Sequence, residues 1–397
     1  MKVLLLNQFF APDSAATSQL LTDVARELTQ QGHSVTVICS GSIYATLGST
    51  EAPGVEVRRV RNMAFGRGKV QRLCSYASYL MPAFWLALWQ RSPDLIVSMT
   101  TPPGLSVIGG LVAWVKGSKH FIWEMDVYPD VAEALGVLRP DGWVTRVLGW
   151  VFDFSRNRAD GILTLGDCMA TRIKSRGISL SKIHVTENWA DGDAIRPCLF
   201  RADGKLSVLY SGNLGLVHEL DTVSAAMLQM REESRMEFIF AGGGRMRAGL
   251  ERFCAEKGLR QVVFEDYCSR ENLARRLSEG DIGLVTQRPE TAGCVVPSKS
   301  YGVLAAGRPV LFIGPAESTI ARMISRYQCG WHVEAGDVQG LVGLLQRLVD
   351  EPELVWSAGG RAREVFLRHY DLPEGVARVC EALGCAVEEN VRASAAI

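Results

Sequence analysis

The chain has 397 residues, and its 43 basic and 43 acidic side chains balance, which excludes a global charge bias toward nucleic acid or a strongly acidic partner. That length suits two domains of ordinary size, and 39 glycines and 15 prolines among short apolar runs suit an α/β protein with many tight turns. Ten cysteines without a Cys-x-x-Cys pair exclude a disulfide or zinc framework and read as reduced, mostly buried thiols of a cytoplasmic protein.

The opening KVLLLNQFFAP lacks a basic leader, a long apolar core and a cleavage region, so Lys2–Leu6 reads as a first strand and not as a signal peptide. Helical spacing follows over Ser18–Gln31, Gly32 stops it, and Ser34–Cys39 is the next strand, which completes a βαβ unit. Further strands are predicted at Val55–Val60, Leu95–Ser98, Phe121–Glu124, Gly161–Leu165 and Ile183–Thr186. The longest apolar stretch, Leu80–Trp89, is too short to span a bilayer and contains Pro82. Glu187–Lys205 breaks the periodicity with polar, Gly and Pro residues and reads as a linker. A second strand series then runs through Leu206–Gly212, Met236–Gly244, Val262–Tyr267, Asp281–Thr286, Pro309–Gly314 and Gly330–Val333, with late helices over Val338–Val349 and Ala358–Tyr370. The expected fold is α/β, with two Rossmann-like domains facing across a cleft. The expected bounds are 1–190, 191–365 and a C-terminal helical segment, 366–397, that packs back on the first domain. Ligands of such sheets sit beyond the C-terminal ends of the strands.

Five stretches at those ends could carry chemistry. The first βα turn has no Gly-x-Gly-x-x-Gly, which disfavours a dinucleotide site, but Ser14, Ala15, Ala16 and Thr17 permit close approach at a helix start, or simply cap it. The strand HFIWEMD places Glu124 and Asp126 at the ligand edge. Asp126 could accept a proton or orient a hydroxyl, with Glu124 as its understudy, and either could equally be a helix cap or half of an ion pair. His120, at the other end of that strand, reads as structural. Gly212, Asn213 and Gly215 form a tight turn with His218 at its exit, and FAGGGRMR is a second glycine turn beside Arg245. In RPETAGCVVPSKS, a diphosphate at Ser298–Ser300 would meet hydroxyls, helix N–H groups and the Lys299 ammonium, with Arg288 as a fork. Such groups favour charge on a departing phosphate, and Glu290 would suit ribose or sugar hydroxyls.

The stretches LNQFFAPDSAATSQLLTDVARELTQQGHSVTVI, WEMDVYPD, ADGILTLGDCMATRIKSRGI, KIHVTENWAD, VLYSGNLG, FAGGG and VVPSKSYGVLAAGRPVL occur in an order that resembles the retaining family 4 glycosyltransferases of GT-B fold. Among these, the bacterial enzymes of colanic acid, O-antigen or capsular polysaccharide synthesis are the most similar. The resemblance implies a nucleotide-sugar donor, a UDP-sugar, and no metal or other cofactor. It implies an acceptor received by the first domain, and a front-face reaction in which the leaving diphosphate helps deprotonate the acceptor. Donor contacts would fall to Gly212, Asn213, Gly215, His218, Gly243, Arg245, Tyr267, Arg288, Ser298, Lys299, Ser300 and Tyr301, and catalytic roles to Asp126, Glu124, Lys299 and Glu290. The chain departs from the family where two glutamates are common, because Cys294 and Gly302 occupy those places. The usual Arg and Lys after the first strand of the second half are also missing, leaving His218.

Gly66–Arg91 combines Arg67, Lys69 and Arg72 with Tyr76, Tyr79, Phe84, Trp85 and Trp89, which suits peripheral contact with an anionic membrane and an undecaprenyl-linked acceptor. The same residues would suit a buried helix with a basic start, and Trp143–Arg156 shares the ambiguity. Two other functions fit the donor half: a UDP-sugar 2-epimerase, and a catalytically silent nucleotide-sugar-binding subunit.

Overall fold

Apolar runs of this kind become parallel strands because helices cover both faces of the sheet and leave no polar side to show. The computed structural model describes residues 1–13, 15–41, 52–63, 69–200 and 204–386. It divides into two units. Unit 1 holds 1–133, 138–187 and the chain from Gly375, and unit 2 holds 134–137 and 188–374.

Unit 1 runs β1 (Lys2–Leu6), α1 (Ala16–Gln30), β2 (Ser34–Ser40), β3 (Glu56–Val60), α2 (Lys69–Trp89), β4 (Leu95–Met99), α3 (Leu105–Lys116), β5 (Lys119–Glu124), α4 (Asp130–Ala134), α5 (Trp143–Arg158), β6 (Gly161–Thr164), α6 (Asp167–Ser175) and β7 (Ile183–Val185). Its seven parallel strands are ordered 3-2-1-4-5-6-7. Unit 2 runs β8 (Leu206–Ser211), α7 (Asp221–Gln229), β9 (Met236–Ala241), α8 (Arg247–Lys257), β10 (Val262–Glu265), α9 (Leu273–Ser278), β11 (Ile282–Thr286), α10 (Lys299–Ala305), β12 (Val310–Ile313), α11 (Thr319–Tyr327), β13 (Gly330–Val333), α12 (Val338–Asp350) and α13 (Pro352–Val365), and α14 follows at Leu372–Ala382. Its six parallel strands are ordered 10-9-8-11-12-13.

Every run read as a strand is one. The late helix starts earlier than its expected Ala358, at Pro352, and ends in a π-helical turn over Phe366–Tyr370. The segment read as a linker is fastened to unit 2. Arg363 donates to Ile195 O at 3.2 Å and Ala305 O at 2.6 Å, and buried Arg308 donates to Leu199 O at 3.1 Å and Ser278 O at 3.0 Å while lying over the Phe200 ring. Within unit 1, Arg378 of α14 donates to Glu187 O at 3.3 Å.

Candidate active site

Each sheet reverses its strand order once, between β1 and β4 in unit 1 and between β8 and β11 in unit 2. Neighbouring loops diverge there and leave room beyond the strand ends.

In unit 2, β8 leads into Gly212–Gly215 and β9 into Gly242–Gly244, and the two turns interlock. A Cβ on Gly212 (φ +133°) would lie 2.5 Å from Lys299 Cε, and one on Gly242 (φ +125°) would lie 2.2 Å from Gly212 O. Glycine is required at both places, once for the lysine stem and once for the backbone of the other turn. Lys299, half-buried at the start of α10, puts Nζ 3.3 Å from His218 Nε2 and 5.3 Å from the centre of the Tyr210 ring. His218 Nδ1 lies 3.0 Å from Thr286 O, and the Tyr210 ring meets the imidazole edge-on.

Burial, reinforced by Lys299, pushes His218 down to about 3, so the imidazole is neutral at physiological pH. Burial alone lowers the Lys299 ammonium to about 8, which leaves it mostly charged near neutrality. The result is a cation held against a neutral imidazole and an aromatic face, with no carboxylate among its described contacts. An incoming anion would be its first opposite charge.

Several expected donor contacts are corrected. The Ser300 hydroxyl is buried and donates to Pro297 O at 2.9 Å, so it faces inward. Tyr301 is buried too, with its ring 5.1 Å from that of Tyr370. The N–H groups of Gly212 and Leu214 donate to Ala241 O and Gly243 O at 2.8 and 2.7 Å, and are not open to an anion. His218 supplies no charge and acts as the neighbour that positions Lys299. Arg245 is exposed, and the arginine that organises its turn is Arg247, which donates to Gly242 O, to Glu265 O at 2.9 Å and to Asp266 Oδ1 at 2.9 Å.

The remaining residues of the expected set stay accessible. Ser298, Asn213 and Glu290 are exposed, and Gly215 is half-buried. Arg288 is half-buried and donates from Nε to His218 O at 3.4 Å. Tyr267, 63% exposed, stands beside the second glycine turn, where a Cβ on Gly243 would come within 3.0 Å of its ring. An exposed aromatic face beside a glycine turn is a ready platform for a planar base.

In unit 1, Thr100 Oγ1 at the end of β4 accepts from Met125 N at 3.0 Å and Asp126 N at 3.2 Å, which sets the turn after β5. Asp126 is half-buried, and burial, with Glu124 as a smaller cause, lifts its carboxyl to about 6. Glu124 is corrected as a catalytic candidate. It is buried and accepts from Arg156 Nε at 2.7 Å, at one end of an ion-pair chain that passes through Asp153 and Arg176 to Asp130 and Arg172. His120 is structural as expected, buried with Nε2 2.7 Å from Ser98 Oγ, and burial lowers it to about 4. Ser14 lies outside the described residues. Ala15 begins α1 without a side-chain cap, its N–H donating to Asp13 Oδ1 at 2.9 Å; Ala16 is exposed and Thr17 half-buried.

The chain as a whole is similar to known proteins. The family described as Glycosyl transferase 4-like domain matches residues 17–189, and that described as Glycosyl transferases group 1 matches residues 192–365. A protein named as the colanic acid biosynthesis glycosyl transferase WcaI, from Escherichia coli, is 26% identical over 379 residues, 88% of this chain and 92% of its own. A protein named as the glycosyltransferase WbjE, from Pseudomonas aeruginosa, is 26% identical over 70% of this chain and 72% of its own. Among solved structures, Anabaena Alr3699/HepE in complex with UDP superposes with a TM-score of 0.73 at 13% identity, over 97% of this chain and 100% of that one.

Proposed function

Because the chain belongs to the family 4 glycosyltransferases and has the GT-B fold, we propose that it is a retaining transferase of polysaccharide synthesis, moving a hexose or N-acetylhexosamine from a UDP-sugar to a lipid-linked glycan. The observation that carries this reading is Lys299, an ammonium 3.3 Å from a neutral imidazole beside two interlocked glycine turns at a topological switch point.

In this reading unit 2 holds the donor. The Lys299 ammonium meets the diphosphate, Arg288 adds a second cation, and the exposed Tyr267 ring takes the base. Charge that builds on the leaving phosphate is stabilised by groups already in place, so little reorganisation is needed as the bond breaks. The bond from C1 to the diphosphate breaks, the acceptor oxygen bonds C1 on the same face, and its proton passes to the departing phosphate oxygen. In unit 1, Asp126, when ionised, is the group that would accept a hydrogen bond from an acceptor hydroxyl and orient it. HepE, solved with UDP and with UDP-glucose, supports the choice of a uracil nucleotide. The relative WcaI, named for colanic acid synthesis, supports the choice of a polysaccharide product.

The test is a panel of UDP- and GDP-sugars incubated with a membrane lipid extract as acceptor. Products are identified by mass spectrometry and the new anomeric centre by NMR. A UDP-dependent glycolipid that keeps the donor configuration is expected. Donor binding with neither transfer nor hydrolysis would leave a silent binding subunit, an acceptor-independent epimer would leave a 2-epimerase, and an inverted product would remove retention.

A further inference from the structure

Three helices of unit 1 carry an apolar stripe on the side away from the core. In α2, Tyr79, Ala83 and Ala87 are buried, while Met81, Trp85 and Trp89 recur at the same four-residue spacing on the solvent side. In α3, Leu105, Val112 and Ala113 are buried, while Leu111, Trp114 and Val115 are exposed. In α5, Gly149 and Phe152 turn inward, while Trp143, Val147, Trp150 and Phe154 turn outward.

The three stripes adjoin. The crossovers from β3 to β4, β4 to β5 and β5 to β6 all step the same way along the sheet, so right-handed connections put these helices on one face. α3 packs against α2 on one side and α5 on the other, and Ser155 of α5 donates to Ser106 O of α3 at 3.2 Å. Trp89, Trp114, Trp143 and Trp150 are 81, 70, 78 and 69% exposed. A face this apolar and this wide exceeds the scattered exposed side chains of an ordinary monomer.

Charge identifies what covers it. The chain has 43 acids, yet these helices contain one, Asp153, which is bound by Arg156 and Arg176. Among the described residues, exposed Arg61, Arg91, Arg139, Arg146 and Arg158 lie on or beside them, the last 5.6 Å from the Phe154 ring, against exposed Asp94, Asp141 and Asp160 beside them. A second copy docking through this face would set cation against cation. Among the described residues no helix is long and apolar enough to cross a membrane, so the stripes are not spans.

We propose that the α2–α3–α5 face rests on an anionic lipid bilayer, with its tryptophans at headgroup depth and its arginines among the phosphates. The inference stands on the surface of unit 1 and is independent of the donor chemistry. It extends the membrane contact expected for α2 and α5 to α3, whose Leu111, Trp114 and Val115 are exposed.

Flotation of the purified chain with phosphatidylcholine vesicles, with or without phosphatidylglycerol, tests it. Wild type should float with the anionic vesicles and release at high salt. Arg146→Gln should weaken that binding about fivefold, the effect of one basic residue at an anionic surface. Trp114→Ala/Trp150→Ala should abolish it while UDP affinity stays at the wild-type value, which shows the variant folded. Wild type that fails to float, or a double variant that floats like wild type, would overturn the proposal. So would a concentration-dependent dimer dispersed by the double variant. Loss of UDP binding in wild type with flotation intact would sink the donor reading alone.

Discussion

Replacing Lys299 with methionine removes one ammonium and keeps most of the stem, and two opposite effects should follow. A charge-assisted hydrogen bond to a diphosphate is worth about 1.5–3 kcal/mol, so UDP affinity at neutral pH should fall about 10- to 150-fold. In the free enzyme the same ammonium is a cost, because burial has lowered it from 10.5 to about 8. That shift corresponds to roughly 3 kcal/mol at most, and solvent around a half-buried group cuts it to about 1–2 kcal/mol. The variant should therefore bind UDP less well and melt at the same temperature or higher.

The pH dependence gives a second signature. The folded value lies below the unfolded one, so between about 8 and 10.5 the unfolded chain binds more protons, and this group makes wild-type stability rise with pH across that window. UDP affinity moves the other way. The charged fraction falls from about 0.9 at pH 7 to about 0.1 at pH 9, a roughly tenfold loss that the methionine variant lacks. Calorimetric UDP titration at both pH values, with thermal melting, reads all of this. Gly212→Ala is the companion variant, because its Cβ would lie 2.5 Å from Lys299 Cε and displace the lysine without removing it. A methionine variant that keeps wild-type UDP affinity, or that melts well below wild type at neutral pH, would refute the assignment.

Asp126→Asn should leave UDP affinity unchanged and remove the rise of kcat near pH 6, measured as a pH–rate profile against wild type. Because its folded value of about 6 lies above the ordinary value of 3.8, the carboxyl's contribution to stability is full below 3.8 and lost as pH rises through 6, so the variant should also melt higher at pH 7. Arg156→Ala strands Glu124 as a buried unpaired carboxylate and should cost about 3–5 kcal/mol in urea denaturation; a loss of turnover without loss of stability would restore Glu124 as a catalytic group. Tyr267→Ala should weaken UDP binding about 5- to 100-fold, the range of one base–aromatic stack, while Tyr267→Phe retains it.

Most strands were legible because they are apolar along their length, which follows from burial on both faces, whereas the largely exposed β3 was legible from its β-branched valines. Lys299 was legible because Pro-Ser-Lys-Ser before an apolar run announces a helix start at a strand end. Its partner was not, since His218 lies 81 residues away and only the β8–β11 pairing brings the two together. Glu124 misled for a related reason. Its position past an apolar strand reads the same whether it meets a substrate or Arg156, and α5 supplies the arginine 32 residues later. The two missing family glutamates have separate physical explanations. A Cβ at Gly302 would meet only Leu277 Cδ1, at an ordinary 3.5 Å, so packing does not forbid a larger side chain there. Cys294 is fully buried, so a carboxylate at that place would be a desolvated charge needing its own partner. In the proposed donor complex the ribose and sugar contacts fall to the accessible groups around Lys299, with Glu290 the exposed carboxylate on the same β11-to-α10 connection.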